Sequence, residues 1–215
     1  MKYKYIISVI LTVYNRETLV TKAINSVLNQ SYKNFEIVII DDGSTDNTVF
    51  KIIPFLKKLG NITFCSQQNK GNPCALNTGI KLSSGKFITF LDSDDEYETD
   101  HLAKRIKFFR KNPNVDLIYT TANIVGEEKD YFVPDARNKN KLIQLNDCVI
   151  GATLFGKQKV FKTLNGFKNK YSHDYDFVKR AEKKYKIKKL DLPTYIYYRN
   201  SENSVINSLK NKLIN

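Results

Sequence analysis

The stretch FITFLDSDDEYETD, residues 87 to 100, turns from an apolar run into carboxylates: Asp92, Asp94, Asp95, Glu96, Glu98 and Asp100. Six acids within nine residues repel one another, and the chain that holds them has a formal net charge of +13. Carboxylates gathered where a buried strand ends cost free energy unless a cation neutralises them. Asp92 and Asp94 alternate along an extended chain, so a bend at the strand end aims both into one pocket. Ligands made only of oxygen favour Mg²⁺ or Mn²⁺, and two carboxylates with the rest of the shell open suit a metal completed by substrate phosphates and water. An EF-hand is excluded, because its ligand spacing and glycine are absent. Taken alone, LDSDD also reads as a solvated loop.

A second acidic pair stands in DDGSTD, residues 41 to 46. Gly43 and Ser44 suit a turn and a helix cap. Asp41 and Asp42 at a strand's carboxyl end can accept from a base N–H or a ribose hydroxyl. Neither GxGxxG nor GxxxxGK[ST] occurs, so a phosphate cradle of glycines is missing and a metal is expected to hold the phosphates. The later segment YSHDYDFVKR, residues 171 to 180, places His173, Asp174 and Asp176 together. It reads either as a helix start capped by Ser172 or Asp174, or as a general base presented at a helix N-terminus.

The elements that must carry these groups follow from the hydrophobic pattern. Residues 5 to 14 form a β-branched and aromatic strand; 17 to 30 place Leu19, Ala23 and Val27 on one helical face. A second strand at 35 to 40 precedes a helix capped by Ser44 or Asp46 and running to about Leu59. A third strand at 62 to 66 precedes a helix at 74 to 83 that Gly85 ends, and KFITFL is a fourth strand. Apolar strands alternating with amphipathic helices imply an α/β fold with a parallel sheet covered on both faces. Ligands of such sheets bind beyond the strands' carboxyl ends, where TVYNRE, DDGSTD and LDSDD all fall. The second half is less regular. It offers a helix at 101 to 111, a strand at 115 to 125, and a polar, flexible excursion at 126 to 147. VIGATLFGKQKVF and the turn LNGF then lead to a helix from Asp174 to about Tyr185 and a strand at TYIYYR. With neither repeat nor linker, 1–215 reads as a single domain. In that reading 1–100 would be the nucleotide-binding half, 101–200 the less regular acceptor-facing half, and 201–215 a tail with apolar residues at helical spacing.

Composition sets bounds. At 41% hydrophobic and 27% charged the chain is globular rather than disordered, and no apolar run approaches the ~20 residues of a spanning helix. Cys65, Cys74 and Cys148 have no metal-ligand spacing and read as buried thiols of a reducing, cytoplasmic compartment. The positive charge fits a lysine-rich surface or attraction to an anionic membrane face; no nucleic-acid module is present.

Taken together, three segments in order resemble the family 2 glycosyltransferases of the GT-A, Rossmann-like fold: SVILTVYNRETLVTKAINSVLNQSYKNFEIVIIDDGSTDNT, NKGNPCALNTGIKLSSGKFITFLDSDD and LNGFKNKYSHDYDFVKR. The resemblance covers about residues 12 to 200. It implies inverting transfer of a sugar from a nucleotide-diphosphate donor, most often a UDP-sugar, to a hydroxyl of a glycan or lipid-linked acceptor, with Mn²⁺ or Mg²⁺. It puts Thr12, Tyr14 and Arg16 by the nucleotide, Asp41 at the base, Asp92 at the ribose and Asp94 on the metal. Asp95 would support these groups and Asp174 would be the base. The chain departs from the pattern at His173, where the family often has Glu, and at Leu76, where it often has Arg. Asn200 and Ser201 follow Tyr198-Arg199 where many members carry a metal-binding His; His173, water or no side chain could serve instead. A nucleotidyltransferase or an inactive carbohydrate-binding or scaffold domain are the competing readings. Lipid-linked acceptors imply peripheral contact with the inner membrane face through the cations of 101 to 111 (Lys104, Arg105, Lys107, Arg110, Lys111) and the seven of 179 to 189.

Overall fold

The computed structural model describes residues 3–58, 60–135, 138–170 and 172–199. The tail at 201–215, Asn200 and Ser201 lie outside them. The first half alternates as the pattern predicts: β1 (Tyr5–Val13), α1 (Val20–Leu28), β2 (Phe35–Asp41), α2 (Thr48–Lys58), β3 (Ile62–Ser66), α3 (Asn72–Leu82) and β4 (Gly85–Asp92). After these come β5 (Glu96–Tyr97), α4 (His101–Lys111), β6 (Leu117–Thr120), β7 (Asn123–Val125), β8 (Phe132–Asp135) and β9 (Asn138–Gln144). The last are β10 (Phe155–Lys157), α5 (Gln158–Thr163), α6 (His173–Glu182), β11 (Ile187–Leu190) and β12 (Tyr195–Tyr198).

Among the described residues the main sheet has the order β11-β6-β10-β4-β1-β2-β3. All its pairs are parallel except the two made by β10. Its central strands β1, β2 and β4 are predominantly apolar because both faces are covered. Ile7, Val9 and Leu11 of β1, Ile37 and Ile39 of β2, and Phe87 and Leu91 of β4 join one core with α1 and α4. The alternate residues Ile10, Val38, Ile40, Ile88 and Phe90 join a second core with α3, α5 and α6. That period of two is the pleat itself. A smaller sheet, β5-β12-β7, follows the carboxylates.

Several expectations change. The run 115 to 125 is two strands in different sheets, because Ala122 is held by a distant side chain: its N–H donates to Asn146 Oδ1 (2.8 Å) and its carbonyl accepts from Asn146 Nδ2 (3.1 Å). The excursion at 126 to 147 contains the antiparallel pair β8–β9. Helix α2 starts on Asp46, whose Oδ1 accepts from the Thr48 N–H (3.0 Å), while Ser44 Oγ accepts from the Asn15 N–H instead. The three cysteines are half-buried free thiols rather than core residues. Arg105 does not face solvent with its neighbours on α4. Its guanidinium is buried and donates to Thr194 Oγ1 (2.8 Å), Thr120 Oγ1 (3.0 Å) and the His101 carbonyl (3.3 Å), and burial pushes its pKa down to about 10.

Gly85 does not end α3 either. Ser83 does so, its hydroxyl donating to the Gly79 carbonyl (2.7 Å). Gly85 opens β4 where β1 comes closest: an added Cβ would stand 2.5 Å from Ser8 N and 2.7 Å from Ser8 Oγ. That hydroxyl accepts from the Gly85 N–H and donates to the buried Glu36 carboxylate (2.6 Å). Gly85→Ala is therefore expected to destabilise the fold by about 1–3 kcal/mol through overpacking. Urea midpoints check it; an unchanged midpoint would mean the β1–β4 spacing relaxes freely.

Candidate active site

The carboxyl ends of β1, β2 and β4 meet at one rim. Thr12 lies beside Asp92 in the β1–β4 register and Val13 beside Asp41 in the β1–β2 register. Chain 14–17 interlocks with 44–48. Asn15 takes a left-handed conformation (φ 49°), which Asn tolerates, and its Oδ1 accepts from the Thr45 N–H (2.8 Å). Glu17 accepts from the Asn47 N–H (2.9 Å), and the Arg16 N–H donates to Thr48 Oγ1 (2.7 Å). This fixes the backbone of Arg16, whose guanidinium reaches Asp94 at 3.7 Å. Tyr14 stands about half exposed at the end of β1. Thr12 Oγ1 donates to Asn72 Oδ1 (2.8 Å) at the start of α3.

The two acids after β2 differ in their duties. Asp42 accepts from Gln67 Nε2 (2.7 Å) and from the N–H groups of Lys70 (3.1 Å) and Gly71 (2.8 Å), so it anchors loop 67–71. Asp41 accepts from Ser66 Oγ (2.8 Å) and the Ser44 N–H (3.1 Å). Each of its oxygens keeps a second lone pair.

At the end of β4 the chain turns over Ser93 and Asp94, closed by the Asp95 N–H donating to the Asp92 carbonyl (3.1 Å). The smaller sheet supports this turn from behind. Tyr195 O–H donates to Asp95 Oδ2 (2.6 Å), its oxygen accepts from the Asp92 N–H (3.2 Å), and the Tyr198 N–H donates to Asp95 Oδ1 (2.8 Å). Tyr198 is tied in turn to Glu96 and Lys22, bracing β12 against α1. Nothing in the segment TYIYYR, read as a strand that ends on the Tyr198-Arg199 pair, pointed to these bonds. The available signal was that a buried Tyr hydroxyl finds a partner.

Asp174 comes to the same rim on the first turn of α6. Its Oδ1 accepts from the Tyr175 N–H (2.7 Å) and its Oδ2 from the Gly151 N–H (3.2 Å). Ser172 precedes the helix with a left-handed backbone and makes no side-chain cap. His173 packs edge-on against Phe167, and burial holds its pKa below the usual range. Leu76 of α3, where the resembled family often has Arg, packs into the second core.

The electrostatics join these groups. Burial, then the charge of Asp94, then that of Asp174 push the Asp92 carboxyl up to about 7. Burial, with Asp92 and Asp94 beside it, raises Asp95 well above the carboxylate range, and burial raises Asp174. Such surplus negative charge, only partly offset by Arg16, fits a divalent cation. Among the described residues no three His, Cys, Asp or Glu side chains are grouped to hold a metal. The donor set that fits is thus two carboxylates completed by phosphate and water.

One consequence is testable without ligand. An acid whose pKa is raised on folding binds a proton that the unfolded chain has released, so stability falls as pH rises from about 4 to about 7. In chelator, Asp92→Asn is expected to gain stability relative to the wild type at pH 8 and to gain little at pH 4. Denaturation midpoints at both pH values decide it; a gain independent of pH would contradict this reading of Asp92.

A mostly parallel sheet with helices on both faces and a carboxylate turn after its fourth strand defines a glycosyltransferase of GT-A type. The sequence matches the model of Glycosyl transferase family 2 over residues 8–166, and the chain belongs to that family. It is 34% identical over 180 residues to the Escherichia coli UDP-Glc:alpha-D-GlcNAc-diphosphoundecaprenol beta-1,3-glucosyltransferase WfgD, covering 80% of this chain and 67% of that protein. It is 42% identical over 125 residues to an uncharacterized glycosyltransferase of Rickettsia bellii, 58% of this chain but only 18% of that protein. Among solved structures, S. aureus TarS 1-349 superposes with TM-score 0.72 at 25% identity, covering 90% of this chain and 60% of that one. The mannosyltransferase PcManGT of Pyrobaculum calidifontis, in complex with GDP-Man and Mn²⁺, shares the fold at TM-score 0.71 and 19% identity, over 97% of this chain and 61% of that one.

Proposed function

We propose that the protein transfers a sugar from a UDP-sugar to a hydroxyl of a glycan or lipid-linked acceptor, with inversion at the anomeric carbon. The observation that carries this reading is the meeting of Asp92 and Asp94 with Asp174 on one rim, close enough that each of the other two charges raises the pKa of Asp92. Residues 1–100 supply the nucleotide-sugar half and 101–200 the acceptor half of one domain. Asp41, Thr12, Tyr14 and Arg16 surround the nucleoside, and Asp92 approaches the ribose. The choice of UDP follows the donor in the name of WfgD and the TarS complexes with UDP and UDP-GlcNAc.

Asp94, with Asp92 beside it, would hold Mn²⁺ or Mg²⁺. The bound ion would neutralise the diphosphate as it leaves, so no protonating acid is needed. Asp95, clamped by Tyr195 and Tyr198, keeps the turn in place. Asp174 is fixed by two backbone amides, and burial raises its proton affinity, which suits a general base. It takes the proton of the acceptor hydroxyl as that oxygen bonds to the anomeric carbon. The bond from that carbon to the diphosphate oxygen breaks with its electron pair leaving on the diphosphate. Attack opposite the leaving group inverts the centre, through a state resembling the oxocarbenium ion of glycoside cleavage.

Because WfgD's named acceptor is lipid-linked, the exposed cations of α4 and of 183–189 would face an anionic membrane, each contributing up to about 1 kcal/mol. Among the described residues no helix is long and apolar enough to cross one. Thermal unfolding with a nucleotide panel and Mn²⁺ tests the central reading. UDP should raise the midpoint more than GDP or ADP, and a panel in which no nucleotide shifts it would overturn the proposal.

A further inference from the structure

One cavity of about 430 Å³ has none of the carboxylates in its lining. It opens beside β7, the far edge of the smaller sheet, and its size falls within the ~300–1,000 Å³ of ligand pockets. From this cavity we infer a second site, one that binds a neutral saccharide. Its lining includes Tyr131 and Pro193, which bring rings, and Asn123 and Gln144, which bring amides. No lining residue carries a charge, although charged residues make up 27% of the chain. A phosphate or carboxylate ligand would find no cation here, so nucleotides and lipid headgroups are disfavoured. A sugar ring presents an apolar C–H face and a rim of hydroxyls that both donate and accept. Rings in the lining match the first, and primary amides, which also donate and accept, match the second.

Asn146 uses both ends of its amide on the Ala122 backbone, which locks two of the lining residues together beside buried Leu145. Tyr131 ends a 3-10 turn held at its start by the reciprocal bonds of Glu127 and Asp130. Gln144 lies opposite Phe132 in the β8–β9 pairing, and Asn123 opposite Ile196 of β12. Among the described residues, neither the Tyr131 hydroxyl nor the Asn123 and Gln144 amides hydrogen-bond to protein, so these groups are open to a ligand. Every lining residue belongs to the acceptor half, and the site is independent of donor chemistry.

Saturation-transfer NMR with maltose, cellobiose, lactose and N,N′-diacetylchitobiose, and with digalacturonate as a charged control, tests the inference. At least one neutral disaccharide should bind in preference to digalacturonate. Tyr131→Ala and Gln144→Ala should each weaken it about fivefold, and both are surface positions whose unfolding midpoints should not move. Asp94→Asn should bind the same disaccharide as the wild type. Absence of binding to all four disaccharides, a Tyr131→Ala variant with wild-type affinity, or loss of binding in Asp94→Asn would each overturn the site. UDP-induced stabilisation measured on the same samples reports separately on the donor site, so either can fail alone.

Discussion

Asp94→Asn is expected to abolish metal-dependent turnover while the protein stays folded. Asp94 sits on the turn that closes β4, partly exposed, with Arg16 at 3.7 Å. Its charge is the second-largest cause of the raised Asp92 pKa, so removing it relieves repulsion instead of opening the core. Asp92 should fall toward the ordinary carboxylate range, and the urea midpoint should hold or rise. Catalysis has no such relief. A cation that neutralises a leaving diphosphate supplies several kcal/mol of transition-state stabilisation, so losing its principal ligand should lower kcat on the order of 10²-fold or more. Mn²⁺ should stimulate the wild type and leave the variant flat. Equal wild-type turnover in chelator and in Mn²⁺ would refute the metal assignment.

The first hundred residues were legible because their signals are local. Ile7 to Val13, Phe35 to Ile40 and Phe87 to Leu91 are predominantly apolar runs, as strands covered on both faces tend to be. Acids that follow such runs can only sit at the rim. The second half depends on contacts distant in sequence. Strand β10 has three residues and inserts antiparallel between β4 and β6; an added Cβ on its central Gly156 would stand 2.6 Å from Leu117 Cδ1. No window around VIGATLFGKQKVF contains that information, since strand pairing is set by the partner. The break between β6 and β7 rests on Asn146, 24 residues downstream.

Arg105 shows the reverse case. It lies on α4 with the buried Leu102, Ile106 and Phe109, yet its charge argued for solvent. Hydroxyls and a carbonyl from three segments made burial tolerable. The candidate site divides the same way. Asp92, Asp94 and Asp174 could be picked from the chain, whereas Tyr195 and Gly151, which hold Asp95 and Asp174, could not.

Asp174→Asn should then separate chemistry from binding. The amide keeps the size of the carboxyl and one oxygen for the N–H of Tyr175 or Gly151, so α6 should start as before. What it loses is a site for the acceptor proton. General-base catalysis contributes about 10²–10⁴-fold, so transfer should drop by that factor. UDP affinity should change by no more than about twofold, because the base acts on the acceptor and not on the donor. Gly151→Ala offers a second approach that leaves the carboxylate intact. Its new Cβ would stand 3.0 Å from Asp174 Cβ, pushing the proposed base off line without removing its charge. A partial loss of kcat with unchanged UDP affinity is expected, and the raised proton affinity of Asp174 should stay visible as a titration in the acidic limb of the pH–rate profile. In Asp174→Asn that limb should vanish. If Asp174→Asn instead loses UDP binding and keeps transfer, Asp174 only secures the start of α6, and the base must be sought elsewhere on the rim.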